Sequence, residues 1–168
     1  MKYEFTKETR EFLGRTLHQI KAVADFGEVK AGDLGGWIEK EENLSQGGAC
    51  WVGGNAQVWG DAQVYDNAQV CDNARVWGDA RVWGDARVGG KNHVLWISPI
   101  GSRDDTVTFM RTKDRKIAVS VGCFYGSVDK FEKAVLETHG NNDHAKAYRL
   151  VIELAKLRID LSEEEDDE

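Results

Sequence analysis

A mainly β chain with a C-terminal α+β unit is predicted by three observations. Valine recurs every six residues from Val52 to Val94. The 168 residues hold 18 glycines against one proline, so the chain turns often and does so without proline. Beyond Gly101 the apolar period changes, first to two and then to that of a helix. Four segments follow from this. Residues 1–48 form an N-terminal cap and lead-in, 49–100 the repeat, 101–161 a β-hairpin plus two helices, and 162–168 an acidic tail.

In the first segment Gly14 marks a turn between KYEFT and RTLHQIKAV, which read as short β structure. From Val52 the hexads run VGGNAQ, VWGDAQ, VYDNAQ, VCDNAR, VWGDAR, VWGDAR and VGGKNH. A period of six fits no amphipathic helix. Each hexad is a short strand plus a corner. Val points inward, Ala (Ala56 to Ala86, four after each Val) fills the inner turn, and the third and fourth positions tolerate positive φ.

These hexads resemble the hexapeptide-repeat, left-handed β-helix family. The resemblance implies a short left-handed parallel β-helix, a triangular prism with one hexad per side and three per coil. Val52–Gln69 is then one coil, Val70–Arg87 the next, and 34–51 a degraded coil before them. It also implies a homotrimer about the prism axis. The lead-in, with Gly-Asp-Leu-Gly-Gly-Trp at 32–37 and Asn-Leu-Ser at 43–45, resembles hexapeptide-repeat proteins of bacteria and phages, including the group loosely called YdcK-like. That likeness implies a cap in which Trp37 covers the open end of the prism. Stacked coils set Trp59 over Trp77 and Tyr65 over Trp83, facing outward. Such a file packs between subunits or holds a ligand.

In the C-terminal segment Val107, Phe109 and Arg111 alternate with Thr106, Thr108 and Met110, and Ile117, Val119 and Val121 with Ala118 and Ser120. This is a hairpin with one apolar face. Ser127 caps a helix with the stripe Val128, Phe131, Val135, ended by Gly140. Ala145, Tyr148, Ile152, Ala155 and Ile159 stripe a second helix. The segment resembles a module recurring in phage and prophage proteins.

The composition excludes several functions. The net charge of −7 is concentrated in Glu163–Glu168, a solvated tail. The rest carries 23 acids against 22 Lys and Arg, so no broad basic field for duplex nucleic acid exists. No apolar run is long enough for a membrane span. Three cysteines without C-x-x-C spacing, and no secretory leader, point to a cytoplasmic location, the host cytoplasm if the chain is phage-encoded. No cofactor is expected, and no metal site, because the repeat carries a single histidine, His93. The family's acyltransferases use a loop-borne histidine as general base. His18, His93, His139 and His144 occupy no such loop, so catalysis is not expected, and an acyl-CoA-dependent acyltransferase is the alternative.

The remaining class is a non-catalytic trimeric binding protein. Gln57, Gln63 and Gln69 of one coil give way to Arg75, Arg81 and Arg87 in the next. Either these arginines pair with Asp79 and Asp85, or they form a cationic belt. A belt beside Trp59, Trp77, Tyr65, Trp83 and His93 suits a planar anionic, nucleotide-like ligand. Asp61 stacks over Asp79, which calls for Arg81 or a Ca²⁺ ion between them. The phage-like flanks imply an accessory protein that inhibits a host defence system, by capturing a nucleotide-like signal or by docking on a defence protein.

Overall fold

In the computed structural model, residues 1–162 are described. The acidic tail from Glu163 onward, read above as solvated, lies outside them. The order of elements is β1 (Tyr3–Phe12), β2 (Arg15–Ala22), β3 (Leu34–Ile38), seven two-residue strands β4–β10 from Trp51–Val52 to Arg87–Val88, then β11 (Val94–Ile100), β12 (Asp105–Arg111), β13 (Ile117–Val121), β14 (Phe124–Ser127), α1 (Val128–His139) and α2 (Asp143–Arg158).

The hexads form three parallel ladders. Trp37 pairs with Gln57 and Gln57 with Arg75; Gln63 pairs with Arg81; Trp51 pairs with Gln69 and Gln69 with Arg87. The chain therefore returns to each ladder every 18 residues, as stacking of three hexads per coil requires. Leu44 bridges Val64 in parallel, so residues 34–51 stack as a coil beneath the strict repeats. Every Val from Val52 to Val88 and every repeat Ala is fully buried. The corner chemistry is sharper than the sequence reading. The third position alone carries positive φ, at Gly54, Gly60, Asp66, Asp72, Gly78 and Gly84.

Both ends of this column are closed by the chain itself. At the lower end β1 and β2 form an antiparallel hairpin through the turn Leu13–Gly14, both at positive φ, and β2 pairs with β3. Tyr3, Ile20 and Ala22 join the core of the column. The buried Lys2 ammonium donates to the carbonyls of Gly47 and Cys50 and to Cys50 Sγ, and lies 4.9 Å from the centre of the Phe26 ring. Trp37 is not the lid. It occupies the outward position of its ladder, under the Arg10 guanidinium at 4.2 Å, because the inward position belongs to Ile38.

At the upper end lies an antiparallel sheet in the order β11-β12-β13-β14. It is wider than a hairpin, since Val94–Ile100 and Phe124–Ser127 add a strand on each side. Nor has it one solvated face. Val107, Phe109 and Val119 pack on the helices, while Met110 and Ala118 join the core of the column. The Arg81 N–H donates to Thr108 Oγ1, and the Lys113 N–H to the Asp85 carbonyl. The helices end as their caps dictate. Ser127 Oγ accepts from the Lys130 N–H, Asn142 Oδ1 from the Ala145 N–H, and Gly140 closes α1 at positive φ.

Candidate functional site

The two aromatic stacks form as the 18-residue spacing demands. Trp59 and Trp77 stack 5.2 Å apart with their rings nearly parallel, and Tyr65 and Trp83 stack 5.1 Å apart. Each stack is extended by residues outside the repeat. Phe12 meets Trp59 edge-on at 5.2 Å and Trp96 meets Trp77 at 4.6 Å. Tyr125 packs on Trp83 at 4.6 Å, and the Trp83 indole N–H donates to Ser120 Oγ at 2.6 Å. The files that face outward in the repeat are thus largely covered by the chain's own ends. Trp59 is buried, and Trp77 stays open, 44% exposed. Phe12, Trp96 and Tyr125 stand outside the period, so nothing in the repeat points to them.

The three arginines do not form one site. They sit on three different ladders. Arg75 places its guanidinium 4.8 Å from the centre of the Phe12 ring. Among the described residues neither Arg81 with Asp79 nor Arg87 with Asp85 forms an ion pair. The cation beside Asp61 is Lys40, at 2.9 Å, rather than Arg81. His93 is withdrawn from the surface. The Gly89 N–H donates to its Nδ1 at 3.0 Å, and its Nε2 lies 2.7 Å from the Arg111 guanidinium.

Two clefts of about 300 Å³ each take up what remains. One is lined by Arg75, Trp77, Lys91, Val94, Leu95 and Trp96. Coil and β11 meet here, so the open indole of Trp77 stands beside Trp96 with two cations from the repeat, Arg75 and Lys91, and no carboxylate in the lining. The other is polar. It sets Arg87 and Lys113 among Gln69, Asn67, Glu28 and Asp85, so its charges balance. Tyr65 borders a third, acidic groove with Glu41 and Glu42. An anion is attracted most where cations face no acids, which singles out the Trp77 cleft. No histidine or carboxylate lines it, and no group of three or more His, Cys, Asp or Glu positioned for a metal exists among the described residues.

The lead-in positions these parts through polar contacts. Burial pushes the Glu39 carboxyl up, but the Gly60 N–H at 2.7 Å and the Arg15 guanidinium at 2.8 Å outweigh it and hold the group below its ordinary range. Asn43 is fully buried. Its Oδ1 accepts from the Glu39 and Lys40 N–H groups, and its Nδ2 donates to the Gly60 and Ala62 carbonyls.

The fold and clefts define a parallel-ladder repeat protein joined to a sheet-and-helix module, with one cationic aromatic cleft at the junction. No family model matches the chain. It is similar to the uncharacterized acetyltransferase YdcK of Escherichia coli (strain K12), 41% identical over 59 residues. The match takes in 30% of this chain and 18% of that protein, so the chain spans less than a fifth of the relative it matches. It fits the hexapeptide-repeat resemblance and leaves enzymatic status open. No helix among the described residues is long and apolar enough to cross a membrane.

Proposed function

We propose that the chain is a non-catalytic binding protein whose column winds as a left-handed β-helix, and that the Trp77 cleft takes a planar anionic ligand of the nucleotide class. The observation that carries this reading is the pairing of an exposed indole with Arg75 and Lys91 in a cleft without acids. A base stacks on the indole, an interaction of about 1–3 kcal/mol, while phosphate oxygens accept from the guanidinium and ammonium. The lining offers no histidine or carboxylate as a general base, which favours capture over turnover. Ligand capture is also the form of a phage defence-inhibitor role that this cleft suits. A trimer about the prism axis would repeat the cleft three times.

The second reading is acyl-CoA-dependent acetyl transfer, favoured by the partial similarity to a protein named as an acetyltransferase. Coenzyme A carries an adenine nucleotide, so the same cleft suits it. Titration of tryptophan fluorescence with adenine nucleotides and with acetyl-CoA tests both. Capture predicts quenching that is lost in Trp77→Ala and weakened at least about tenfold, or 1.4 kcal/mol, in Arg75→Gln/Lys91→Gln. Equal affinity in wild type and the double variant removes the cleft from the mechanism. Release of free coenzyme A from acetyl-CoA and an amine acceptor promotes the enzyme reading.

A further inference from the structure

We infer that the polar cleft binds a short peptide as a zwitterion, with its ammonium at Glu28 and its carboxylate at Arg87 and Lys113. The cleft holds about 300 Å³, at the small end of ligand sites. It runs up the ladder on which Trp51, Gln69 and Arg87 stand in register on successive coils. Both rims are fixed by backbone pairs. Below, Phe26 and Val29 exchange two N–H···O bonds, at 2.9 and 3.0 Å, and the turn between them carries Glu28. Gly27 of that turn sits so close to the coil that a Cβ would stand 3.3 Å from the Ala49 Cβ. Above, the Lys113 N–H donates to the Asp85 carbonyl at 2.9 Å, and Ala86 bridges Thr112. Lead-in, coil and sheet thus each supply a wall that is set before any ligand arrives.

The placement of charge selects the ligand. Side chains of both signs line the cleft, yet among the described residues none of Glu28, Asp85, Arg87 and Lys113 forms an ion pair. Glu28 stands alone at the lower end. At the upper end Asp85 offsets one of the two cations and leaves one positive charge. The cleft is therefore negative below and positive above, over two strand spacings or roughly 10 Å. Between the ends Gln69 donates its amide N–H to the Ala49 carbonyl at 2.8 Å, which keeps its Oε1 as an acceptor for a peptide N–H. A pure anion gains at one end and is repelled by Glu28 at the other. A free amino acid carries both charges beside one carbon and reaches only one end. An extended di- or tripeptide spans about 7–10 Å and bears its charges at its two ends. Val29 and Ala49 give the floor an apolar strip that suits small side chains.

Isothermal titration calorimetry of the full chain with L-alanyl-L-alanine tests this, beside its N-acetylated and C-amidated forms and free alanine. Saturable binding of the dipeptide is expected. Each blocked form, and free alanine, should bind at least about tenfold more weakly, because each loses the charged contacts of one end. Variants separate the ends. Glu28→Gln should abolish the preference for the free amine over the acetylated form, and Arg87→Gln/Lys113→Gln the preference for the free carboxylate over the amide. None of the three residues is buried, so the circular dichroism spectrum should not change. Trp77→Ala should leave dipeptide affinity as it is, since the two clefts share no residue. The inference is overturned by the absence of saturable binding at roughly 10 mM dipeptide, by blocked forms or free alanine binding as tightly, by preferences that survive in the variants, or by loss of binding in Trp77→Ala.

Discussion

Asn43 shows how much one polar side chain can organise. It ties two backbone donors of its own corner to two backbone acceptors of the coil above, all within 3.2 Å, from a side chain that is itself fully buried. Replacing it with Ala leaves four backbone groups, one of them fully buried and three partly so, to find new partners. A cost of at least about 2 kcal/mol is expected in chemical denaturation, since each unsatisfied buried group costs about 1–3 kcal/mol. Gly35 makes the opposite kind of demand. A Cβ there would lie 2.5 Å from the Trp51 ring and 2.7 Å from the Val52 carbonyl. Gly35→Ala is therefore expected to destabilise by about 1–3 kcal/mol through overpacking. Glu39 links the lead-in to pH. Its carboxyl is held below the ordinary value, so its stabilising effect is complete above the unfolded-state pKa and is lost as pH falls through the folded one. Thermal melts of wild type and Glu39→Gln should differ at neutral pH and converge at strongly acidic pH.

At the level of elements, the repeat was legible because its constraint is local and periodic. Inward Val, Ala in the tight turn and Gly or Asp at the positive-φ corner are each dictated by one hexad, and the hexad recurs. The helices were legible from caps and stripes for the same reason. Trp37, by contrast, was misplaced as a lid, because the pattern that orients it is the register of β3 against β5, a long-range pairing. The hairpin of β12 and β13 shows one apolar face in sequence because Thr108 and Ser120 on the other are polar, yet each spends its hydroxyl on the column, Thr108 on the Arg81 N–H and Ser120 on the Trp83 indole. The same limit hid the cleft. Arg75, Trp77 and Lys91 are repeat residues, but Trp96 and Leu95 reach them only through the docking of β11. An element-level prediction follows for the column. Val76→Asp places a charge where no solvent or partner reaches, and unfolding of the coil at ambient temperature is expected, checked by loss of near-ultraviolet circular dichroism.

For the whole molecule, the question is whether column and C-terminal module unfold together. Two apolar cores exist, one along the ladders and one between sheet and helices, and β12 belongs to both through Met110 on one side and Val107 and Phe109 on the other. A strand shared in this way cannot leave one core without opening the other. The chain carries its own separate probes. All six tryptophans, from Trp37 to Trp96, lie in the lead-in, the coil or β11, whereas the α-helical signal comes from α1 and α2. Tryptophan fluorescence and circular dichroism at the helix band should therefore trace one coincident transition. Met110→Ala removes a fully buried side chain at the shared strand, and about 2–5 kcal/mol should be lost from both signals equally. If the fluorescence midpoint falls while the helix midpoint stays, the sheet is a separate domain resting on the coil, and the cleft between Trp77 and Trp96 is a mobile seam. If the two move together, the cleft is as rigid as the cores that flank it, and a ligand bound there raises the stability of the entire chain by the same mass-action term.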